Sequence, residues 1–236
     1  MKIITLIAIL GLLISQSLAQ SLVVDLVGPL IKTAFQCMLY SGFTGAIVRT
    51  YSLNLGGSVD TSARHTLQNS KDMGLVTQGY MVICRNGDPN SQIDAVLNTI
   101  PHNLMEVLWF KVIPNSTPGC QWSDYSHADN CAFLTQAFTH FHSLISSGMT
   151  PGVFSTASIW NRFFGSSCNT ISTQGILWYA NYKSNGQVNP EESFTDFTPF
   201  GGFQVPYMKQ VSGGYRSGLC FNSNFIAFFD INFASF

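Results

Sequence analysis

The sequence predicts an α/β protein folded as an irregular β/α barrel, with helices mostly between its first five strands. Short β-rich runs alternate with helical patterns as far as Gly165, which is typical of strand–helix–strand units and a parallel sheet. After Gly165 the helical signal fades and strand-like runs follow one another. The length of 236 residues, 46% of them hydrophobic, suits one barrel-sized core.

The individual elements follow from hydrophobic period and from turn residues. Predicted strands cover residues 22–26, 45–51, 75–84, 104–112, 152–155, 176–182, 203–211 and 225–233. Predicted helices cover residues 29–40, 62–73, 91–100 and 129–147, the last of them closed by Gly148. The Gly-containing loop at 185–189 is too short to link two domains, so we expect residues 20–236 to form a single domain.

The first 19 residues have the pattern of a secretory signal peptide. Lys2 precedes the apolar run 3–14, and Ser17-Leu-Ala19 is a small-x-small cleavage pattern. The run is too short to span a bilayer, which takes about 20 apolar residues. We therefore expect a mature protein that starts at Gln20, is secreted or held in the lumen of the secretory or lysosomal route, and has no membrane partner.

Six cysteines are expected to pair as disulfides, because an oxidising compartment favours disulfides over metal ligation or a nucleophilic role. They are Cys37, Cys84, Cys120, Cys131, Cys168 and Cys220, and none forms a CxxC pair. Spacing alone leaves the connectivity open. A local link between Cys120 and Cys131 is one candidate.

Charge and motifs exclude several classes of function. The chain has 11 basic and 12 acidic side chains, for a net charge of -1, and offers no positive surface for nucleic acid or an anionic membrane. It has no Walker loop, GxSxG elbow or HExxH motif. His140 and His142 lie two apart on a predicted helix and face different directions. We expect no cofactor, no metal and a monomer.

In a parallel β/α barrel, the active site lies at the carboxyl ends of the strands. The predicted ends carry Asp25, Arg49, Lys111, Ile113, Ser155, Tyr182, Gln210 and Asp230. Two of these are carboxylates in runs that are otherwise apolar, and a buried carboxylate needs a hydrogen bond or a counter-charge. Asp25 and Asp230 are therefore either site residues or structural carboxylates satisfied by backbone N–H groups or by Arg49.

Three segments of the second half carry a specific pattern. They read Leu177-Trp-Tyr-Ala-Asn-Tyr182, Phe194-Thr-Asp-Phe-Thr-Pro-Phe-Gly-Gly-Phe203 and Pro206-Tyr-Met-Lys-Gln210. These segments resemble the lysozymes of glycoside hydrolase family 25, of the nematode and protist type. The resemblance continues upstream through Ala46-Ile-Val-Arg-Thr-Tyr51 and Gly152-Val-Phe-Ser-Thr156 and downstream to Asp230-Ile-Asn232, so it covers essentially all of residues 20–236.

The resemblance implies a TIM-like barrel whose last three strands lack helices. It also implies cleavage of the bond between N-acetylmuramic acid and N-acetylglucosamine in peptidoglycan by acidic residues at the barrel mouth. Asp25 takes the place of the family's first-strand aspartate, and Asp230 that of the aspartate in its last-strand motif. In the fourth strand the family carries an Asp-x-Glu pair after a Trp, and here Lys111 and Ile113 follow Trp109 in those places.

By this resemblance, no catalytic pair is intact. We therefore expect hydrolysis to be very slow or absent. Ile113 has no proton to donate, and Lys111, with a reference pKa of about 10.4, is a poor acid near neutral pH. General acid catalysis contributes about 10²–10⁴-fold. Glu106, Glu191 and Glu192 are poorly placed to substitute, since Glu106 faces the other side of its strand and the other two lie in a loop. We expect Lys111 to pair with Asp25 or Asp230.

Aromatic residues near the strand ends are candidates for a glycan groove, because an aromatic face suits the apolar face of a pyranose. These candidates are Tyr182, Phe154 and Trp178; barrel core is the alternative, which we favour for Trp178. The sequon at Asn115 could carry a glycan near the mouth.

Three functions stay open on the sequence. The first is a secreted lysozyme-like protein, catalytically impaired or inactive, that binds peptidoglycan or another glycan in innate defence. The second is an active muramidase that uses Asp25 and Asp230. The third is an interaction or signalling protein on a lysozyme fold that binds no sugar.

Overall fold

The structure is a computed structural model that describes residues 20–53, 57–146, 148–183, 185–216, 220 and 228–235. The predicted signal peptide and residues 225–227 of the last predicted strand lie outside these described residues. The start of the mature chain at Gln20 stays a prediction.

A single sheet closes on itself to form the barrel. Within the described residues it contains β1 (Gln20–Leu26), β2 (Phe43–Ser52), β3 (Ser58–Val59), β4 (Val76–Met81), β5 (Val107–Lys111), β6 (Thr150–Ser155), β7 (Ile176–Ala180), β8 (Met208–Arg216) and β9 (Phe228–Ser235). The strand order is β1-β9-β8-β7-β6-β5-β4-β2-β3, and an additional pairing of β1 with β2 closes the ring. Because β3 is a two-residue strand paired only with β2, the wall has eight strands, as the sequence predicted.

Helices cover the early strands. They are α1 (Lys32–Tyr40), α2 (Ala63–Asp72), α3 (Pro89–Thr99), α4 (His127–Leu144) and α5 (Ala157–Phe164). The first four match the predicted helices, whereas α5 was not predicted. α5 is only 8 residues long, so its helical pattern in the sequence is short. The Thr156 hydroxyl caps its first turn by accepting a hydrogen bond from the Ile159 N–H at 3.1 Å, and Gly165, at φ 67°, ends the helix. The irregular β/α barrel is confirmed, with no α-helix between β7 and β9 in the described part of the chain.

One strand differs from the all-parallel expectation. β9 runs antiparallel to both of its neighbours, β8 and β1, whereas the other neighbouring barrel strands run parallel. Parallel neighbours need a crossover of about a dozen residues or more, usually including a helix. β8 and β9 need no such crossover, because antiparallel neighbours can be joined by a short turn.

The barrel interior is filled by side chains, so it is a packed core. Trp109 and Trp178 are fully buried, with ring centroids 5.6 Å apart in an edge-to-face contact. The Trp109 Nε1–H donates to Gln78 Oε1 at 2.7 Å. A Cβ on Gly152 would collide with the Trp109 ring, which explains a glycine in the neighbouring strand. Trp178 is therefore buried in the barrel core, the alternative that the sequence analysis favoured for it.

A second core lies between the barrel wall and the helices. Alternate strand residues face it, as Phe110 does between the inward-facing Trp109 and Lys111. Phe110 packs against Phe138 and Phe141 of α4, with centroids 5.1 and 6.4 Å away. These contacts fix the helices to the wall and hold the strand ends in register at the mouth.

All six cysteines form disulfides, as expected, and the candidate link between Cys120 and Cys131 is wrong. The pairs are Cys37–Cys220, Cys84–Cys120 and Cys131–Cys168. Cys120 lies in the loop after β5, beside Cys84 in the loop after β4, whereas Cys131 lies on α4 and faces the segment before β7. Within the described residues, no helix combines the length and the apolar character needed to cross a membrane.

Candidate functional site

The predicted site residues meet at one end of the barrel. Asp25 lies near the end of β1 and Lys111 ends β5, so the carboxyl ends of these parallel strands bring both to the mouth. Asp230 is near the beginning of β9 and is the register partner of Asp25. It reaches the same end because β9 is antiparallel, and not because it ends its strand.

The buried charges at the mouth form an ion pair. The Lys111 ammonium donates to Asp25 Oδ2, and the side chains of the two residues are only 10% and 4% exposed. A pairing of Lys111 with Asp25 or Asp230 was expected, and Asp25 is the partner in this pair. Arg49, the other cation considered for these carboxylates, instead donates to Asp60 Oδ2 at 2.9 Å.

Three aromatic rings complete the environment of the lysine. Its Nζ lies 4.0 Å from the ring centroid of Tyr80, 4.5 Å from that of Trp178 and 5.2 Å from that of Phe154. We call Asp25, Tyr80, Phe154 and Trp178 the cation cage. A cation over an aromatic face gains about 2 kcal/mol when both are shielded from water. The cage therefore holds the Lys111 ammonium at the centre of the mouth.

Two of the three predicted groove aromatics belong to this cage. Trp178 is fully buried and Phe154 is 5% exposed, so neither offers an open stacking face. The two rings are buried because they pack on each other, with centroids 4.5 Å apart, and because the Lys111 ammonium lies over both. Tyr182 follows β7, is 48% exposed, and donates a long hydrogen bond of 3.5 Å to Gln210 Oε1. It is the groove candidate that lies on the surface.

Burial dominates the electrostatics of Asp25. Desolvation raises the pKa of its carboxyl from 3.8 to about 6; the nearby Lys111 ammonium opposes this rise and the Asp230 carboxylate adds to it. Burial, together with the negative charge of Asp25, also holds the pKa of Tyr80 well above its usual value. Asp25 is therefore an ionised partner of Lys111 at neutral pH and becomes neutral in mild acid.

Ile113 follows β5 and is partly buried against the interior cluster. Its hydrocarbon side chain lies two residues after Lys111 and provides neither a proton nor a charge. Glu106 precedes β5, where its backbone bonds to Thr77 and Thr150 at the far end of the barrel. Glu191 is exposed and accepts hydrogen bonds from Ser193 and Thr195. Neither glutamate is placed to replace the acid.

Sequence reasoning missed a second buried lysine near the mouth. Lys209 is fully buried, and its Nζ donates to Asp196 Oδ1 at 2.9 Å and to two backbone carbonyls of the loop before β8, those of Glu191 and Ser193. Burial alone would raise the pKa of Asp196, but hydrogen bonds from Lys209, Tyr179 and Asn181 lower it to about 2. A lysine inside an apolar strand was the signal available in the sequence.

Two further expectations concern ligands near the mouth. The side-chain amide of Asn115 donates to the Cys120 carbonyl at 3.1 Å, so a glycan on this nitrogen would alter that contact. Among the residues that the structure describes, no group of three or more His, Cys, Asp or Glu could hold a metal ion.

A double-mutant cycle tests the coupling of the ion pair. Asp25→Asn leaves a buried ammonium without its counter-charge, and Lys111→Met leaves a buried carboxylate, so each should lower the free energy of unfolding by about 3 kcal/mol. The double variant should return to within about 1 kcal/mol of the parent, because a neutral pair has no such cost. Urea unfolding at pH 7.5 measures all four proteins. Additive losses would contradict the pairing.

The same variants predict a pH dependence. A carboxyl whose pKa is 3.8 in the unfolded chain and about 6 in the fold binds its proton more tightly when folded, so it stabilises below pH 3.8 and this contribution is lost as pH rises through about 6. Lys111→Met removes the main opposing charge and should extend the loss above pH 6. Unfolding free energies from pH 4 to 8, compared with those of the double variant as control, check this. If the unfolding free energies of the parent and of the double variant changed with pH in the same way, the raised pKa of Asp25 would be refuted.

Comparisons with known proteins agree with this architecture. The sequence profile of the family described as lysozyme-like protein 1 matches residues 16–211. The chain is 30% identical to probable GH family 25 lysozyme 4 of Dictyostelium discoideum over 197 residues, which cover 80% of this chain and 83% of that protein. It is 25% identical to lysozyme-like protein 5 of Caenorhabditis elegans, over 80% of this chain and 82% of that one.

Solved structures show the same fold at low identity. A family GH25 lysozyme from Aspergillus fumigatus superimposes with a TM-score of 0.65 at 17% identity, covering 91% of this chain and 93% of that chain. A muramidase from Acremonium alcalophilum gives a TM-score of 0.68 at 14% identity with the same coverage. The family profile, the relatives and the closed barrel together show that this chain belongs to the lysozyme-like proteins of glycoside hydrolase family 25.

Proposed function

We propose that this protein is a secreted lysozyme-like protein that binds peptidoglycan or a related glycan in innate defence and hydrolyses it very slowly or not at all. The observation that carries the proposal is the cation cage, in which Lys111 neutralises Asp25 at the barrel mouth. Secretion is supported by the leader pattern of residues 1–19 and by three disulfides, which are typical of oxidising compartments.

The chemistry of glycoside cleavage argues for impaired catalysis. Two carboxyl groups normally flank the bond, one donating a proton and the other stabilising an oxocarbenium-like transition state. Here Ile113 offers no proton, and Asp25 is bound to an ammonium. That ammonium is itself positive, so it opposes the positive charge that develops on the sugar ring. β5 itself, Val107–Lys111, contains no acidic side chain that could act together with Asp230.

Space at the mouth supports the same conclusion. The rings of Tyr80, Phe154 and Trp178 already contact the Lys111 ammonium. A sugar ring that stacked on them would have to displace the lysine and break its ion pair with Asp25, which costs several kcal/mol for a buried pair. Glycan contact is therefore favoured at the rim, where Tyr182 is exposed, over the barrel axis.

One observation favours an active muramidase as a second candidate. The pKa of Asp25, raised to about 6 by burial, lies in the range that suits a catalytic acid near neutral pH. Relatives named as probable lysozymes add to this alternative. It requires Lys111 to leave the cage when substrate binds, so that Asp25 and Asp230 can flank the sugar bond.

Incubation with bacterial cell walls separates these functions. We expect the purified secreted protein to bind insoluble peptidoglycan and to sediment with it. We expect it not to clear a turbid cell-wall suspension, because the acid pair is replaced. Asp25→Ala serves as the matched variant, and an active muramidase as the positive control. Clearing that disappears in Asp25→Ala would establish the second candidate, and a protein that stays wholly in the supernatant would favour an interaction protein that binds no sugar.

Restoring the acid pair tests whether its replacement is the main cause of low hydrolytic activity. Lys111→Asp combined with Ile113→Glu should raise cell-wall clearing by at least about 10²-fold, the lower contribution of general acid catalysis. Lys111→Asn combined with Ile113→Gln is the control. Asn and Gln have the shapes of Asp and Glu, so this variant removes the ammonium without supplying acids. Unfolding midpoints confirm that both variants fold. Equal rates for the two would mean that replacement of the acid pair does not explain the low activity.

A further inference from the structure

A pocket, which we call the rim pocket, lies beside the end of β7 and outside the cation cage. It has a volume of about 260 Å³ and is bounded by the N-terminal turn of α5, by the end of β7 and by the loop that contains Asp196 and Thr198. Neither Lys111 nor Asp25 lines it, so it is distinct from the cation cage. Tyr182 lines the pocket and also reaches Gln210 at the mouth, which places the two sites side by side.

The pocket has no free charge to offer a ligand. Among its lining residues, Asp196 alone carries an acidic or basic side chain. Its carboxylate accepts hydrogen bonds from Lys209 at 2.9 Å, Tyr179 at 2.8 Å, Asn181 at 2.9 Å and Asn189 at 2.8 Å. These donors engage both carboxylate oxygens, and Lys209 neutralises the charge from beneath. A charged ligand would therefore lose its hydration without gaining a counter-charge in the pocket. A neutral polar ligand has no charge to desolvate.

The remaining lining is a mixture of aromatic faces and hydroxyl groups. Tyr182 and Phe197 provide rings, and half of the Tyr182 surface is open to solvent. Ser158 and Thr198 are exposed on opposite sides of the pocket. The Ser158 hydroxyl shares one hydrogen bond of 3.0 Å with Thr156 and keeps further capacity to donate or accept. Rings beside hydroxyl groups suit a pyranose, which has apolar C–H faces and a polar edge.

We propose that this rim pocket binds one ring of an uncharged saccharide. The inference rests on the proposed function and names the place where a glycan would be held without being cut. Two contacts of Asp196 hold its loop in place: Lys209 of β8 neutralises the carboxylate, and the Tyr179 hydroxyl of β7 donates a hydrogen bond to it. Retention and cleavage are thus assigned to two neighbouring sites, of which the second is closed by Lys111.

Pocket-filling variants of the full secreted chain test the assignment. Ser158→Trp fills the pocket from α5, and Thr198→Trp fills it from the opposite loop. Neither removes the α5 cap, which uses the Thr156 hydroxyl and the Ile159 N–H. Asn161→Trp, exposed on α5 outside the lining, is the matched control. Calorimetric titration with chitotriose, the neutral trimer of N-acetylglucosamine, should show at least a tenfold loss of affinity in both pocket variants and none in the control.

A charged probe tests the neutrality of the site. The deacetylated trimer of glucosamine carries ammonium groups and should bind the parent protein at least tenfold more weakly than chitotriose, because Asp196 is already paired. Equal or tighter binding of the charged trimer would overturn the inference. So would a parent protein that does not bind chitotriose at millimolar concentration, or pocket variants that bind it as the parent does.

The outcomes separate this inference from the proposed function. A parent protein that sediments with peptidoglycan but does not bind chitotriose, or whose sedimentation is unchanged in Ser158→Trp and Thr198→Trp, contradicts the rim pocket alone. A parent protein that binds chitotriose and loses that binding in both variants, yet stays in the supernatant with peptidoglycan, supports the pocket and contradicts the proposed function.

Discussion

The architecture of the mouth depends on one buried ion pair, between Lys111 of β5 and Asp25 of β1. Both side chains are buried, and desolvating an unpaired charge costs several kcal/mol, so each charge needs the other. Each therefore fixes the position of the other, and the rings of Tyr80, Phe154 and Trp178 close around the ammonium. This arrangement fills the centre of the mouth with an ammonium–carboxylate pair and three aromatic rings.

The barrel makes such a pair possible through its packing. Trp109 packs against Gly152 and fills the interior below the mouth. β2 and β4 separate β1 from β5 in the sheet, so the long side chain of Lys111 crosses the mouth above Trp109 to reach Asp25. The antiparallel β9 adds Asp230 to the mouth from the opposite chain direction. A catalytic site and a closed cation cage can therefore be built on the same strand ends, and the side chains of β5 decide between them.

Two buried Lys–Asp contacts have different consequences for function. The Lys111–Asp25 pair occupies the barrel axis, whereas Lys209 and Asp196 lie beside the wall and organise the loop around the rim pocket. A protein with a closed centre and an open rim can hold a glycan and leave it intact. This division is a proposal for a chain of the lysozyme-like family in which Lys111 and Ile113 stand where the resemblance places an acid pair.

The sequence by itself determined the family, the eight barrel strands, the first four helices and the presence of Lys111 and Ile113 at the two positions where the resemblance places acids. These features follow from local periodicity and from motifs that can be compared residue by residue. Only the tertiary structure decided the direction of β9, the disulfide partners, the choice of Asp25 as the partner of Lys111, and the burial of Phe154 and Trp178 around it. Each of these depends on contacts between residues far apart in the chain, and burial, which sets both the cage and the pKa of Asp25, exists only once those strands have packed.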